Sequence, residues 1–223
     1  MATQRNGKPA SARERLLDAA NQLFYEEGVH SVGVDRVIER AGVAKATLYT
    51  LFGNKDGLVR AYLETRDEAI RQRMTRQLAE RYKTPREQLL GVFDVQSRTF
   101  RDPGFHGCAF ARASAEASDG TSVEEVSEAH RAWLRSLFVD LAKKAGARNP
   151  EQLARHLMLL YDGAAISAWM DHNPSAATAA RSVATALVDA AIPKPDQLHA
   201  LNSRPRHMTE LRPAARSSAD RRA

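Results

Sequence analysis

Residues 33–55 read GVDRVIERAGVAKATLYTLFGNK, a stretch that holds two short helical patterns. The first pattern has apolar residues at the spacing of one helix face, at Val34, Val37, Ile38 and Ala41. The second places Leu48 and Phe52 four residues apart. Gly42 separates the two patterns, and glycine readily adopts the positive φ that a sharp corner between helices needs. The stretch therefore predicts a helix-turn-helix, whose second helix enters the major groove of DNA.

The second helix of this motif is expected to present a polar face to DNA. Leu48 and Phe52 are expected to face the core, so Lys45, Ala46, Tyr49 and Thr50 point outward. They offer a small side chain, a hydroxyl and a phenol, which suit base edges and thymine methyl groups. Lysines at the two ends of the helix suit phosphates, and Asn54 is placed to cap the next helix. The predicted DNA-binding residues are Gly33, Arg36, Lys45, Ala46, Thr47, Tyr49, Thr50 and Lys55.

A longer pattern, VAKATLYxxFxNKxxL, starts at Val43 and follows an amphipathic helix that ends with YEEG at residues 25–28. In this combination residues 11–60 resemble the DNA-binding domain of tetracycline-repressor (TetR-like) regulators. The resemblance implies an all-α fold, with an N-terminal three-helix DNA-binding domain before a C-terminal helical bundle for dimerisation and effector binding. Ala44 stands where these regulators commonly have serine, and Thr50 and Leu51 replace a frequent aromatic or histidine pair. The operator sequence therefore stays open.

Helical periodicity continues along most of the chain, and we expect about nine helices and no strand. The sixth helix is predicted over residues 105–117, before a polar loop. Proline and glycine separate several of the helical segments. The predicted organisation is a disordered basic arm at 1–10, the helix-turn-helix domain at 11–57, the effector-binding and dimerisation domain at 58–191, and a disordered basic tail at 192–223.

The distribution of charge and the amino-acid composition indicate a protein whose positive charge lies near its two ends and which has neither a disulfide nor a membrane span. The chain has 223 residues and a net charge of +6, but residues 61–191 hold 17 basic and 17 acidic side chains. The excess positive charge lies at the two ends, where the N-terminal arm either tracks the DNA backbone or is simply solvated. A single cysteine excludes an intramolecular disulfide. Without a long apolar run or a signal-peptide pattern, we expect a cytoplasmic protein.

The last two predicted helices are rich in small residues. Small side chains allow close helix packing, and the resemblance implies that these helices pair with their twins in a four-helix dimer interface. The alternative is that alanine is frequent there because it favours helices. The predicted interface residues are Gly163, Ala164, Ala168, Ala180, Ala184 and Leu187.

The resemblance also implies an effector pocket in the C-terminal domain. Its predicted lining residues are Phe93, Cys108, Trp133, Met158, Tyr161 and Trp169, although core packing is the alternative role for most of them. Because residues 61–191 are neutral overall, we expect an apolar or aromatic effector rather than a polyanion. His106 and Cys108 are too few and too irregular for a metal site, so no metal or other cofactor is predicted. Nothing in the sequence activates the lone cysteine as a nucleophile.

These patterns predict a transcriptional regulator and not an enzyme, since no phosphate loop, catalytic triad or carboxylate pair is present. The protein is expected to act as a homodimer on a palindromic operator, most simply as a repressor that a small ligand relieves. Two alternatives remain, a helical enzyme with an incidental motif and a protein-interaction module without DNA function. The lack of a catalytic constellation disfavours the first, and the exposed lysines and tyrosine of the motif disfavour the second.

Overall fold

The computed structural model describes residues 10–117 and 120–193, and these residues form nine α-helices and no strand. The predicted all-α class is confirmed. The predicted arm and tail lie almost entirely outside the described residues. The helices are α1 (Ala12–Glu27), α2 (Val34–Ala41), α3 (Lys45–Phe52), α4 (Lys55–Arg81), α5 (Pro85–Phe100), α6 (Ala109–Glu116), α7 (Ser122–Lys144), α8 (Pro150–Met170) and α9 (Ala176–Ala191).

Local signals place most of the helix starts. Ser11 and Glu14 form a reciprocal capping box at the start of α1, which satisfies two backbone amides that have no partner within the helix. Asn54 caps α4 through a 2.8 Å hydrogen bond from the amide of Gly57. Between α2 and α3, Gly42 adopts the left-handed conformation at φ 62° and ψ 46°, as the predicted corner requires.

The sixth helix is shorter than the predicted 105–117, because its first turn is replaced by contacts to α1. The hydroxyl of Tyr25 donates to the carbonyl of Gly107 at 2.9 Å and accepts from the amide of His106 at 3.1 Å. Gly107 has a positive φ of 87°, which a helix cannot contain. Both backbone groups are thus satisfied by a residue more than 80 positions away, and α6 begins only at Ala109.

Two hydrophobic clusters form the core. The N-terminal cluster joins α1, α2, α3 and the first part of α4 to α6 and the start of α7. The C-terminal cluster joins the end of α4 to α5, α8, α9 and the rest of α7. Helices α4 and α7 contribute to both clusters, and the described residues through Ile192 form one compact unit. The domain boundary at residues 57 and 58 stays a prediction. No helix of the described part of the chain could cross a membrane.

Candidate DNA-binding, dimerisation and effector sites

The exposed face of α3 carries most of the residues predicted to read DNA bases. Leu48 is completely buried in the N-terminal cluster and anchors the helix, while Tyr49 is 44% exposed. Lys45, Ala46 and Thr50 are also exposed, at the spacing that puts them beside Tyr49 on one face. The Thr50 hydroxyl donates to the Ala46 carbonyl at 2.9 Å, which leaves its oxygen free to accept. Thr47 is half-buried at the edge of this face.

Two of the predicted DNA-binding cations, Lys45 and Arg36, form ion pairs with acidic side chains. Lys45 Nζ lies 2.8 Å from Asp35 Oδ1, and this hydrogen bond raises the pKa of the ammonium group. Arg36 binds both carboxylate oxygens of Glu27, at 2.6 and 2.8 Å, which ties α2 to the end of α1. Exposed ion pairs of this kind are weak, so phosphates can compete for both cations.

Lys55 at the start of α4 is less open to solvent than its predicted phosphate contact suggests. Its Nζ donates to the His30 carbonyl at 3.4 Å. Burial lowers the pKa of the Lys55 ammonium group, and the nearby carboxylate of Glu116 opposes that effect. Gly33, the remaining predicted residue, is the exposed N-cap of α2 and makes no side-chain cap.

Arg112 and Glu116 of α6 make hydrogen bonds to the backbone where α1 ends and the connection to α2 begins, and we call this pair the α6 clamp. Arg112 donates to the carbonyl of Tyr25 at 2.6 Å, and Glu116 accepts from the amide of His30 at 2.7 Å. The two side chains are four residues apart, so they share one face of α6. Gly28 lies between Tyr25 and His30 in the chain, and a methyl group added there would lie 2.7 Å from Glu116 Oε1. Sequence reasoning missed the clamp, because Arg and Glu at this spacing look like an ordinary intrahelical pair.

The six residues predicted to line the effector pocket have different surroundings. Phe93 and Met158 are buried in the C-terminal cluster, and Trp133 and Tyr161 are partly buried against it. Trp169 is instead 41% exposed and lies against Gly107, the residue before Cys108.

Cys108, the sixth predicted pocket residue, is the N-cap of α6 and packs against the N-terminal cluster. Burial raises the pKa of its thiol, which keeps the sulfur protonated and unreactive. Within residues 10–117 and 120–193, no three His, Cys, Asp or Glu side chains are grouped to hold a metal ion.

An apolar surface runs along α8 and α9, and we call it the α8/α9 face. Leu159 and Met170 are 71% and 66% exposed, with Ile166 and Val183 each half exposed. The groove between the two helices measures about 380 Å³, and three of the predicted interface residues line it, namely Gly163, Ala164 and Ala180.

The other predicted interface residues lie deeper in the protein. Ala168 and Ala184 are buried in the C-terminal cluster, and Leu187 packs against it. The large exposed side chains of the α8/α9 face were not predicted, although Leu159, Ile166 and Met170 repeat at the spacing of one helix face.

Comparison with known proteins agrees with this geometry. Residues 16–62 match the bacterial regulatory proteins of the tetR family. The structure also superposes on a TetR-family transcriptional regulator from Streptomyces coelicolor with a TM-score of 0.76 and 33% sequence identity, covering 82% of this chain and 96% of the other. This chain belongs to the TetR family. The predicted family, and with it the helix-turn-helix architecture, is confirmed.

Other TetR-family similarities are shorter. An uncharacterised HTH-type transcriptional regulator of Mycobacterium tuberculosis is 31% identical over 91 residues, or 41% of this chain and 45% of the relative. The HTH-type transcriptional repressor NemR of Escherichia coli is 30% identical over 108 residues, or 48% of this chain and 54% of the relative. The chain thus spans about half the length of the curated relatives that it matches.

Proposed function

We propose that this TetR-family protein binds a specific DNA operator as a homodimer and represses transcription until a small effector releases it. The observation that carries the proposal is the exposed face of α3. Lys45, Tyr49 and Thr50 project from a helix that buried Leu48 anchors, and a helix of this kind fits the major groove. Because bacterial operators lie in the cytoplasm, the protein acts there.

The α8/α9 face supports the homodimeric part of the proposal. Leu159, Ile166 and Met170 form an apolar stripe on α8, and Val183 of α9 lies across the groove from it. A second copy that presents the same stripe would cover these side chains in a two-fold symmetric interface. Such a dimer presents two recognition helices, so its operator is a palindrome with half-sites about one helical turn, or roughly 34 Å, apart.

The effector part of the proposal concerns the C-terminal cluster. Phe93, Trp133 and Tyr161 bring large apolar side chains to this cluster, and Trp133 and Tyr161 each carry one polar group on the ring, a combination typical of small-molecule sites. An effector relieves repression only if it binds more tightly to a dimer whose recognition helices are wrongly spaced for DNA.

The test is selection of random genomic fragments by the full chain, followed by sequencing. We expect one enriched palindrome, bound by a particle of dimeric mass in sedimentation. The Tyr49→Ala variant is the matched control, since it removes an exposed side chain from the recognition face and leaves the core intact. Equal fragment recovery by the two proteins, with no shared sequence, would contradict the proposal.

A further inference from the structure

The outward face of α3 has two small side chains at its centre. Successive residues of an α-helix are about 100° apart around its axis, so Thr50 lies opposite the side from which Leu48 and Phe52 pack into the core. Ala46 lies one turn before Thr50 on the same outward side, and both residues are exposed. A helix seated in the major groove therefore brings these two side chains closest to the base edges.

The chemistry that Thr50 and Ala46 offer to DNA is mainly apolar. The Thr50 hydroxyl donates its proton to the carbonyl of Ala46 at 2.9 Å, so a methyl group and an acceptor oxygen are left for DNA. Ala46 contributes only its own methyl group. A lone acceptor does not distinguish adenine from cytosine, because both present an amino group in the major groove. Neither side chain can form the paired hydrogen bonds by which Arg recognises guanine and Asn or Gln recognises adenine.

Leu51 extends the apolar part of this face to one side of Thr50. Its side chain is 41% exposed, although Leu48 of the same short helix is completely buried. Single exposed apolar side chains are common on proteins, but this one lies about 100° around the helix from the most outward residue, as Tyr49 does on the other side. Contact with a methyl group of DNA would remove the Leu51 side chain from water.

The basic side chains beside this face are paired with carboxylates. Lys45 lies 2.8 Å from Asp35, and Arg36 binds both carboxylate oxygens of Glu27. A charged phosphate competes for these cations better than the neutral acceptors of a guanine do, because hydrogen bonds between two ionised groups are stronger. Lys45 and Arg36 are therefore better suited to backbone phosphates than to guanine.

We propose that the protein recognises its operator through the 5-methyl groups of thymine, which Ala46, Thr50 and Leu51 contact in the major groove. The helix, KATLYTLF, contains no Arg, Asn or Gln, so contact with the methyl group is the chief discriminating interaction that its outward face offers. Each half-site should therefore depend on A·T pairs where α3 enters the groove. This inference rests on the proposed function and names the chemical group that its recognition helix binds.

Replacement of thymine by deoxyuridine, one position at a time, removes only the methyl group and tests the proposal. The probe is the operator that the genomic selection returns, and fluorescence anisotropy gives its affinity for the full chain. We expect at least one position of a half-site at which deoxyuridine weakens binding about fourfold, the loss expected for one buried methyl group. Replacements outside the half-sites are the control. If every replacement leaves the affinity unchanged within about twofold, the proposal fails.

Two variants assign the methyl contacts to individual residues. Thr50→Ser removes only a methyl group and keeps the hydroxyl that donates to the Ala46 carbonyl, and Leu51→Ala shortens an exposed side chain. Each should bind the thymine and deoxyuridine forms equally at the position that it contacts. Lys45→Gln is the control and should weaken both forms alike, because it removes a charge and no methyl contact. If both variants keep the full preference at every position, Thr50 and Leu51 are not the contacts. The deoxyuridine series on the unaltered protein stands even where a variant does not fold.

The outcomes separate this inference from the proposed function. If the selection returns a palindrome whose half-sites lack thymine or are insensitive to deoxyuridine, the protein binds its operator through other groups and only this inference fails. If the selection returns no shared sequence, the proposed function fails and this inference fails with it.

Discussion

The imidazole of His130 on α7 lies 2.7 Å, Nδ1 to Oδ1, from the carboxylate of Asp67 on α4. Phe110 of α6 stacks on the same imidazole, with ring centroids 3.9 Å apart and planes inclined by 6°. Asp67 also accepts from Arg71 at 2.6 Å, which orients the carboxylate. Three helices thus meet at one titratable side chain that is almost completely buried.

This arrangement predicts a loss of stability in mild acid. Burial lowers the pKa of His130, while the hydrogen bond that its ring donates to Asp67 opposes the change, and Arg71 and Arg131 add to the lowering. The folded protein therefore binds this proton more weakly than the unfolded chain. The contribution of His130 to the free energy of unfolding should be fully present at pH values above the unfolded-state pKa of about 6.5. It should decrease as the pH falls below that value, by at most about 1.4 kcal/mol per pH unit.

Denaturant titrations between pH 7.5 and 5 measure this slope. His130→Gln should flatten it, whatever its own effect on stability. Glutamates with a lowered pKa, such as Glu14 and Glu87, lose their contribution to stability mainly as the pH falls through their ordinary pKa of 4.5, so they add little to the slope above about pH 5.5. A stability that rises on acidification, or a slope that the variant retains, would contradict the prediction.

Tyr49 and Leu48 are neighbours on α3 that should separate DNA affinity from stability. Tyr49→Ala should weaken binding to the selected operator with little change in melting temperature, because the side chain is exposed. Leu48→Ala should destabilise the protein by about 2–5 kcal/mol, because its side chain is completely buried. Electrophoretic mobility shifts and thermal melts of both variants supply the comparison. Full operator affinity in Tyr49→Ala would exclude it as a DNA contact.

Asp35 should lower the affinity of the protein for DNA of any sequence. It holds Lys45 and places a negative charge beside the recognition face. Asp35→Asn should tighten binding to all sequences alike and make the slope of log K against log salt steeper by about one unit. Fluorescence anisotropy at several salt concentrations tests this, with exposed Glu80→Gln on the distant part of α4 as the control. If the two variants have the same salt dependence, the Asp35–Lys45 pair does not affect DNA binding.

Gly28 and Gly42 should respond differently to alanine. Both have positive φ, at 96° and 62°, but only Gly28 is crowded, by the carboxylate of Glu116. Gly42→Ala should cost about 1 kcal/mol for the left-handed backbone alone. Gly28→Ala should cost more and also weaken operator binding, because it displaces Glu116 from the α6 clamp. Chemical denaturation gives the order of the two costs, and the reverse order would count against the clamp.

Ile166 tests the α8/α9 face. Ile166→Arg places a charge in the middle of the apolar stripe and should give a monomer that binds the operator weakly. Gln152→Arg, an exposed substitution near the start of the same helix, should leave the assembly unchanged. Sedimentation at micromolar concentration distinguishes the two results. A dimer of unaltered affinity in Ile166→Arg would place the interface elsewhere.

The sequence predicted those features that depend on neighbouring residues. Gly42 and the stripes on either side of it specify the helix-turn-helix, and caps such as Ser11 and Asn54 specify where helices begin. The predicted start of α6 was wrong because Tyr25, more than 80 residues away, makes hydrogen bonds to the backbone of His106 and Gly107.

The unpredicted parts of the candidate sites have the same physical cause. The buried amide of Gln96 on α5 donates to the carbonyl of Tyr161, a predicted pocket residue 65 positions along the chain. The α6 clamp likewise joins residues that are more than 80 positions apart. No local pattern encodes contacts of this range, so they become visible only when the helices are packed.

Helix α4 also has a mechanical consequence. It is 27 residues long and has no break, so it extends about 40 Å as a stiff rod. Met74 and Leu78 hold one end in the C-terminal cluster, and Leu58 and Tyr62 hold the other in the N-terminal cluster. A tilt of about 5° at the far end displaces the near end by roughly 3–4 Å, a distance comparable to the rise of one base pair. Through a rod of this length, a tilt of a few degrees in the C-terminal cluster would shift the start of α4, and α3 beside it, by about the spacing of one base pair.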